Sequence, residues 1–304
     1  MKLNKSFISM LAIAAVVVAC EKPVPTPDDP TQDPTENPGG QPEEEPTITE
    51  DGTQAHPYLV KSLEDLQAVR EKAAPGAETF FRLEADIDMT SVKNWIPVNC
   101  GDTETVGEGD AATSVTTYTR KINFDGNNKT ISNFAPTTWY LEDGLTEAPY
   151  QSLFGVLYGT VKNLNVTGAN LVDVKGSAGI LAGYAGTMQN EVVMAAVVSN
   201  VSVQGTITAV GDKVGGMAGV AYYATFENCN ADVTITTSST DCGGLIGKSV
   251  GDLVVTGCKV KADITSSVAT KNRVGGLIGW NSTAKTTITT QLMLMGELLV
   301  FTKR

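Results

Sequence analysis

Between residues 130 and 265, polar and apolar residues alternate in short runs rich in Thr, Val and Ile. The runs are TISNF (130–134), TVKNLNVTGANL (160–171), VVSNVSVQGTIT (197–208), TFENCNADVTIT (225–236) and VVTGCKVKADIT (254–265). A period of two with β-branched residues predicts strands rather than helices. In the third run the alternation reads as a single phase, with Val198, Asn200 and Ser202 set against Ser199, Val201 and Val203.

A second, glycine-rich element keeps pace with the first. It appears as SLFG (152–155), GILAG (179–183), GGMAG (215–219) and GGLIG (243–247 and again 275–279). The final glycines, Gly155, Gly183, Gly219, Gly247 and Gly279, are 28, 36, 28 and 32 residues apart. In the alternating element the equivalent apolar positions are Phe134, Leu164, Val201, Cys229 and Cys258. Two linked motifs repeating together mark a repeat architecture. A unit of this length, with two or three short strands, cannot bury its own apolar face, but stacked units form one continuous core. The expected fold is therefore all-β: a parallel β-helix, or β-solenoid, of about 28–36-residue repeats. Glycine suits corners, where positive φ or close approach of neighbouring coils excludes a Cβ. Leu245, Ile246, Leu277 and Ile278 would fill stacked apolar rows.

GGLIG and GGMAG, each accompanied by an NC or NV strand, resemble the GLUG-motif repeats of bacterial surface proteins. The resemblance covers roughly residues 150–283, and GTQAHPYLV…LEADIDMT…WIPV…FDGNNKTISNF looks like the portion that commonly precedes such repeats. It implies an adhesin-like β-helix on a secreted or surface-anchored protein, and it implies no reaction.

An open solenoid exposes sheet edges that need covering. SLEDLQAVREKA (62–73) supplies a short capping helix: Ser62 and Asp65 stand at capping-box spacing, with Leu63, Leu66 and Val69 on one face. At the other end, TQLMLMGELLVFTKR departs from every earlier repeat and reads either as a specialised apolar cap or as a truncated coil.

The first residues point to an address. Lys2 and Lys5, an apolar stretch from Phe7 to Val18 and small Ala19 before Cys20 form a signal-peptide layout. VVAC (17–20) looks like a bacterial lipobox, which implies a lipid on Cys20 and anchorage without a spanning helix. Residues 21–50 hold eight of the 13 prolines and nine acidic residues against one Lys, so they read as an extended tether. In a polyproline II conformation the tether reaches up to roughly 90 Å. Its acidic start resembles the export signal of surface-exposed lipoproteins in anaerobic Gram-negative bacteria; a plain spacer is the other reading.

The expected organisation is a lipoprotein signal peptide (1–19), lipidated Cys20 with its tether (20–50), cap and first coils (51–150), repeats (151–283) and an atypical end (284–304). The expected location is the outer membrane, facing outward. Of the net charge of −12, −8 belongs to residues 21–50 and +2 to Lys2 and Lys5, leaving −6 for the rest and disfavouring nucleic acid.

Reactive residues are few. His56 is the one histidine, which leaves nucleophilic triads and zinc without support. No cofactor or metal is expected. Cys229 and Cys258 would stack in neighbouring strands, either as a disulfide or as buried thiols filling the core. Asp86, Asp88 and Asp125 could serve a β-helix lyase or hydrolase, or could simply frame turns such as Asp125–Asn128.

Recognition is better sought in the irregular insertions at 99–121, 135–150 and 184–198, because loops on a rigid scaffold carry binding. Trp139, Tyr140 and Tyr150 lie among Glu142, Asp143 and Glu147 and would suit a sugar face, unless Trp139 and Tyr140 pack onto the first coils. Tyr222, Tyr223 and Trp280 follow glycine corners and would form an outer patch. The reading is a monomeric, surface-anchored, non-catalytic solenoid binding a glycan or an extracellular protein. The alternatives are a polysaccharide-degrading β-helix and a structural envelope scaffold.

Overall fold

The computed structural model describes residues 50–99, 101–106, 113–238, 240–267, 273–282 and 285–289. The signal peptide, Cys20, most of the tether, Cys100 and residues 290–304 lie outside the described residues.

Among the described residues the chain winds a β-solenoid of about 5 turns with about 32 residues per turn, nearly all β, with a single helix. The main sheet is parallel throughout and each strand pairs with its counterpart one coil along. One coil illustrates the path. Lys213–Gly215 forms a short first segment, and Ala218–Glu227 is a longer strand bent at Tyr223. The chain then turns at Asn228 into Asn230–Thr237, after which Asp241–Gly243 begins the next coil.

The glycine register follows the sequence motif. Phe154 pairs with Ala182, Ala182 with Ala218, Ala218 with Ile246 and Ile246 with Ile278, so the motif-ending glycines stack one above another. Their role is close approach, since none of them has positive φ. A Cβ on Gly247 would lie 2.6 Å from the Val214 nitrogen, and one on Gly279 would lie 2.6 Å from the Cys242 nitrogen. Two backbone layers therefore meet here with no room for a methyl group. Leu245 and Ile246 are completely buried, and Leu277 nearly so.

Left-handed residues make the other corners. Asn163, Asn200, Asn228 and Gly257 have φ of 53°, 54°, 53° and 65°. Asn tolerates this region better than most residues, and Gly adopts it without steric cost. Asn200 donates to the Asn163 side chain at 3.2 Å, and Asn163 donates to Asp125 at 3.1 Å. The corner also resets the alternation. Val198, Val201 and Val203 all face the core, so the single phase expected for 197–208 changes at Asn200.

One register differs from expectation. Leu164, Val201, Cys229 and Cys258 are equivalent, but the partner of Leu164 in the preceding coil is Lys129, not Phe134. Extra residues at Gly126–Asn128, with Asn127 and Asn128 left-handed, enlarge that corner. Phe134 instead accepts the Asn170 N–H at 3.0 Å.

The helix spans Leu63–Lys72. Ser62 caps it by accepting the Asp65 N–H at 3.2 Å, while the Asp65 carboxylate reaches back to the Lys61 N–H at 2.9 Å. Leu66 and Val69 are fully buried against the first coil. Among the described residues no helix is long and apolar enough to cross a membrane.

Candidate ligand-binding site

The insertions depart from the repeat, and two of them, at 99–121 and 135–150, line a concavity on the first coils. Residues Asp102–Val106 and Thr113–Thr117 form an antiparallel hairpin from the 99–121 insertion. A second hairpin, Thr187–Gln189 with Val192–Met194, leans on it. The Gln189 side chain accepts the Tyr118 N–H at 3.1 Å and donates to the Thr116 carbonyl at 3.2 Å. The 135–150 loop closes on itself through Leu141 N–H to Thr146 and Ala148 N–H to Trp139. Asp143 fixes its tip by accepting the N–H groups of Leu145 and Thr146.

The first hairpin, the 135–150 loop and the helix end line a bowl of about 810 Å³. It is lined by Tyr118, Leu141, Pro149, Thr103 and Thr116, whose hydroxyls meet at 2.8 Å, and by charged residues of both signs. Arg120 organises one side. Its guanidinium pairs through two nitrogens with Asp102 and donates to the carbonyls of Arg70 and Ala73, closing the helix C-terminus. A bidentate pair of this kind fixes geometry as well as charge. Arg70 pairs with Glu142 at 2.7 Å and Lys175 with Glu147 at 2.7 Å, which ties the loop to helix and coil. Asn99 lines the bowl with φ of 58°; its amide donates to the Val156 carbonyl at 2.8 Å. Its buried Oδ1 finds no partner among the described residues.

The residues expected to bind are placed differently from one another. Trp139 is not on the surface: it is 5% exposed and packs edge-on against Phe134, which packs edge-on against Trp95. An aromatic side chain of this size gains more from this cluster than from water. Tyr140 lies at the surface and its backbone is held by Asn94. Tyr150 is half-buried; its hydroxyl meets that of Tyr118 at 2.9 Å and its ring lies 5.2 Å from Tyr184. Tyr222 and Tyr223 are half-buried, with ring centroids 5.2 Å apart. Tyr223 holds a positive φ of 51°, and its ring crowds Gly251 in the next coil.

The carboxylates considered for catalysis are engaged in framing. Asp86 accepts the Thr130 N–H at 2.8 Å. Asp88 accepts from the Thr90 hydroxyl and N–H and from Asn133, which hold its carboxyl below the usual range. Burial pushes Asp125 up, but the Asn127 N–H, the Asn163 amide and Lys162 outweigh it and leave it lowered. A glycosidase acid needs the opposite shift. His56 is exposed, 3.8 Å from Asp51.

Cys229 and Cys258 stand in paired register as fully buried thiols, not joined in a disulfide. Cys229 lies 3.4 Å from the Val198 and Glu227 carbonyls, and the adjacent Cys258 and burial push its thiol up. Burial also pushes the Cys242 thiol up to about 12. Among the described residues no three His, Cys, Asp or Glu side chains gather as a metal would require.

No family model matches the chain. A stretch of 136 residues, 43% of this chain, is 32% identical to halomucin of Haloquadratum walsbyi. That match spans 1% of halomucin's length. Among solved structures, a Bacteroides ovatus protein named a "putative immunoglobulin A1 protease" superposes with a TM-score of 0.55. It is 20% identical, with 80% of this chain and 79% of that one covered. At that identity the likeness establishes the β-solenoid fold and nothing about chemistry.

Proposed function

We propose that the chain is a non-catalytic, surface-displayed β-solenoid that binds glycan in the bowl formed by its insertions. The observation that carries this reading is the bowl: an aromatic wall at Tyr118 beside fixed hydroxyls, amides and ion pairs, placed on loops over a rigid coil. Apolar faces with a few placed polar groups suit ligands of this kind. The hydrogen bonds that hold Asp88 and Asp125 low do not suit either carboxyl to act as a general acid.

The same reading includes display. A lipid on Cys20 anchors the protein in the outer membrane, and the acidic, proline-rich tether holds the GLUG-like coils away from it. The solenoid works as a monomer and needs no cofactor.

The test is retention of the full chain on a panel of immobilised glycans and matrix proteins, with released oligosaccharide assayed in the same incubations. Saturable retention without product, weakened about tenfold by Tyr118→Ala, is the expected result, the size of one lost stacking contact. Product release, or retention indifferent to Tyr118, refutes it. Protease resistance of the protein on intact cells would refute surface display.

A further inference from the structure

A strip of side chains runs along the solenoid from the bowl to the last coils. In the short first segments, the stacked row is Tyr150, Ser177, Lys213, Asp241 and Arg273. Beside it, the next strands stack Val156, Tyr184, Val220, Lys248 and Trp280, of which Val156 and Val220 are buried and Tyr184, Lys248 and Trp280 reach the surface. The two rows touch. Tyr150 packs on Tyr184 near the bowl, and at the far end Arg273 lies 3.8 Å from the Trp280 ring centroid. Four strand steps separate Tyr150 from Arg273, roughly 19 Å at the usual spacing.

The strip changes character along its length. Near the bowl it is aromatic and neutral, with Tyr118, Tyr150 and Tyr184. At the far end it carries Lys213, Lys248 and Arg273. Buried Asp241 is committed to Arg273 at 2.5 Å, and exposed Asp212 lies 3.5 Å from Lys213. Lys248 is different. Its ammonium sits 4.0 Å over the half-exposed Trp280 ring, and among the described residues no carboxylate lies within ion-pair distance of it. Burial lowers its pKa, Lys213 and Arg273 add repulsion, and Asp241 only partly offsets this. A cation held over an indole among other cations is a ready partner for an external anion.

We infer that this strip binds an acidic oligosaccharide, whose carboxylate or sulfate pairs with Lys248 beside Trp280 while its uncharged part runs toward the bowl. The inference rests on the glycan reading above and names the class of glycan. A polysaccharide follows the strip because its own repeat is linear, as the ladder of coils is. The basic end then selects acidic chains over neutral ones.

The experiment titrates the full chain with an oligogalacturonate and with its methyl ester, which removes the charge and keeps the sugar. Tryptophan fluorescence is a local readout, because Trp95 and Trp139 are buried while Trp280 is half-exposed. The acid should give a saturable change that weakens at 1 M salt and is absent in Trp280→Phe. Lys248→Gln should weaken binding of the acid about tenfold, the size of one charged hydrogen bond. The ester should bind wild type at least that much more weakly.

Equal affinity for acid and ester, or indifference to Lys248→Gln, overturns the strip. If neutral glycans are still retained through Tyr118, the bowl stands and the strip alone falls. If no glycan is retained and Trp280 does not respond, both readings fall. Inorganic sulfate matching the oligomer at equal concentration would make this a simple anion site and overturn the glycan assignment.

Discussion

The coils next to the helix and the last described coils of the solenoid are of the same kind but are buried to different extents. At the helix end, Leu66 and Val69 cover the first coil and are fully buried. At the far end, Val274 and Ile288 are 40% and 47% exposed, although their partners one coil back, Cys242 and Val255, have no exposed surface. The side chains are similar and the register is unbroken. What differs, among the described residues, is how far the outer side is covered. In a solenoid each coil is stabilised through its interfaces with adjacent coils, so one sequence motif is worth different amounts at different positions.

The sharpest break of that comparison is truncation of the same residue type in the two regions. Ile131→Ala, in the closed coils, should cost about 2–5 kcal/mol in denaturant unfolding, as buried Ile truncations do. Ile288→Ala should change stability by no more than about 0.5 kcal/mol, the range of surface substitutions. Equal costs would mean that the far coil is as well covered as the first.

Glycines give the next largest effect. Gly244 and Gly276 occupy the same place in successive coils. A Cβ on Gly244 would lie 2.2 Å from the Gly276 carbonyl oxygen, whereas nothing among the described residues lies within 4 Å of one on Gly276. Gly244→Ala should therefore lower stability by about 1–3 kcal/mol. Gly276→Ala should leave the thermal midpoint unchanged or slightly raised. A smaller loss, about 1 kcal/mol, is expected for Ser62→Ala, which removes the cap of the covering helix.

Acid should act on the helix end. Hydrogen bonds from Lys121 and Asn123 lower Glu78, and Asp88 and Asp125 are also lowered. Their folded pKa values lie below the ordinary 4.5 and 3.8. Their stabilisation is thus complete above that range and lost as pH falls through the folded values. Thermal midpoints measured from pH 6 to pH 2 should fall below about pH 4. Asp88→Asn should flatten the fall.

Much of this was legible because solenoids write their register into the sequence. The final glycines of GGLIG mark a place where backbone meets backbone, and only one residue type fits there. The capping helix was legible from Ser62, Asp65, Leu66 and Val69 for the same local reason. Phe134 was misaligned because the Gly126–Asn128 corner holds extra residues, and periodicity cannot count them. The phase change at Asn200 needed its backbone angle, which an alternating pattern does not record.

The site was less legible. Trp139 sits in an aperiodic loop, so nothing local separates an exposed ring from one tucked against Phe134. Tyr118 and Arg120 matter through partners distant in sequence, at Tyr150, Gln189, Asp102, Arg70 and Ala73. Lys213, Lys248 and Arg273 lie in different coils and become neighbours only when the coils stack.

The most direct measurement of the central claim is a hydrogen-exchange footprint of the full chain with and without a saturating glycan selected by the panel. The account predicts slowed exchange in residues 101–106, 113–121 and 139–150. The strand Asn230–Thr237, which lines no part of the bowl, should be unchanged. Protection confined to strands such as Asn230–Thr237, with the insertions exchanging as before, would contradict it.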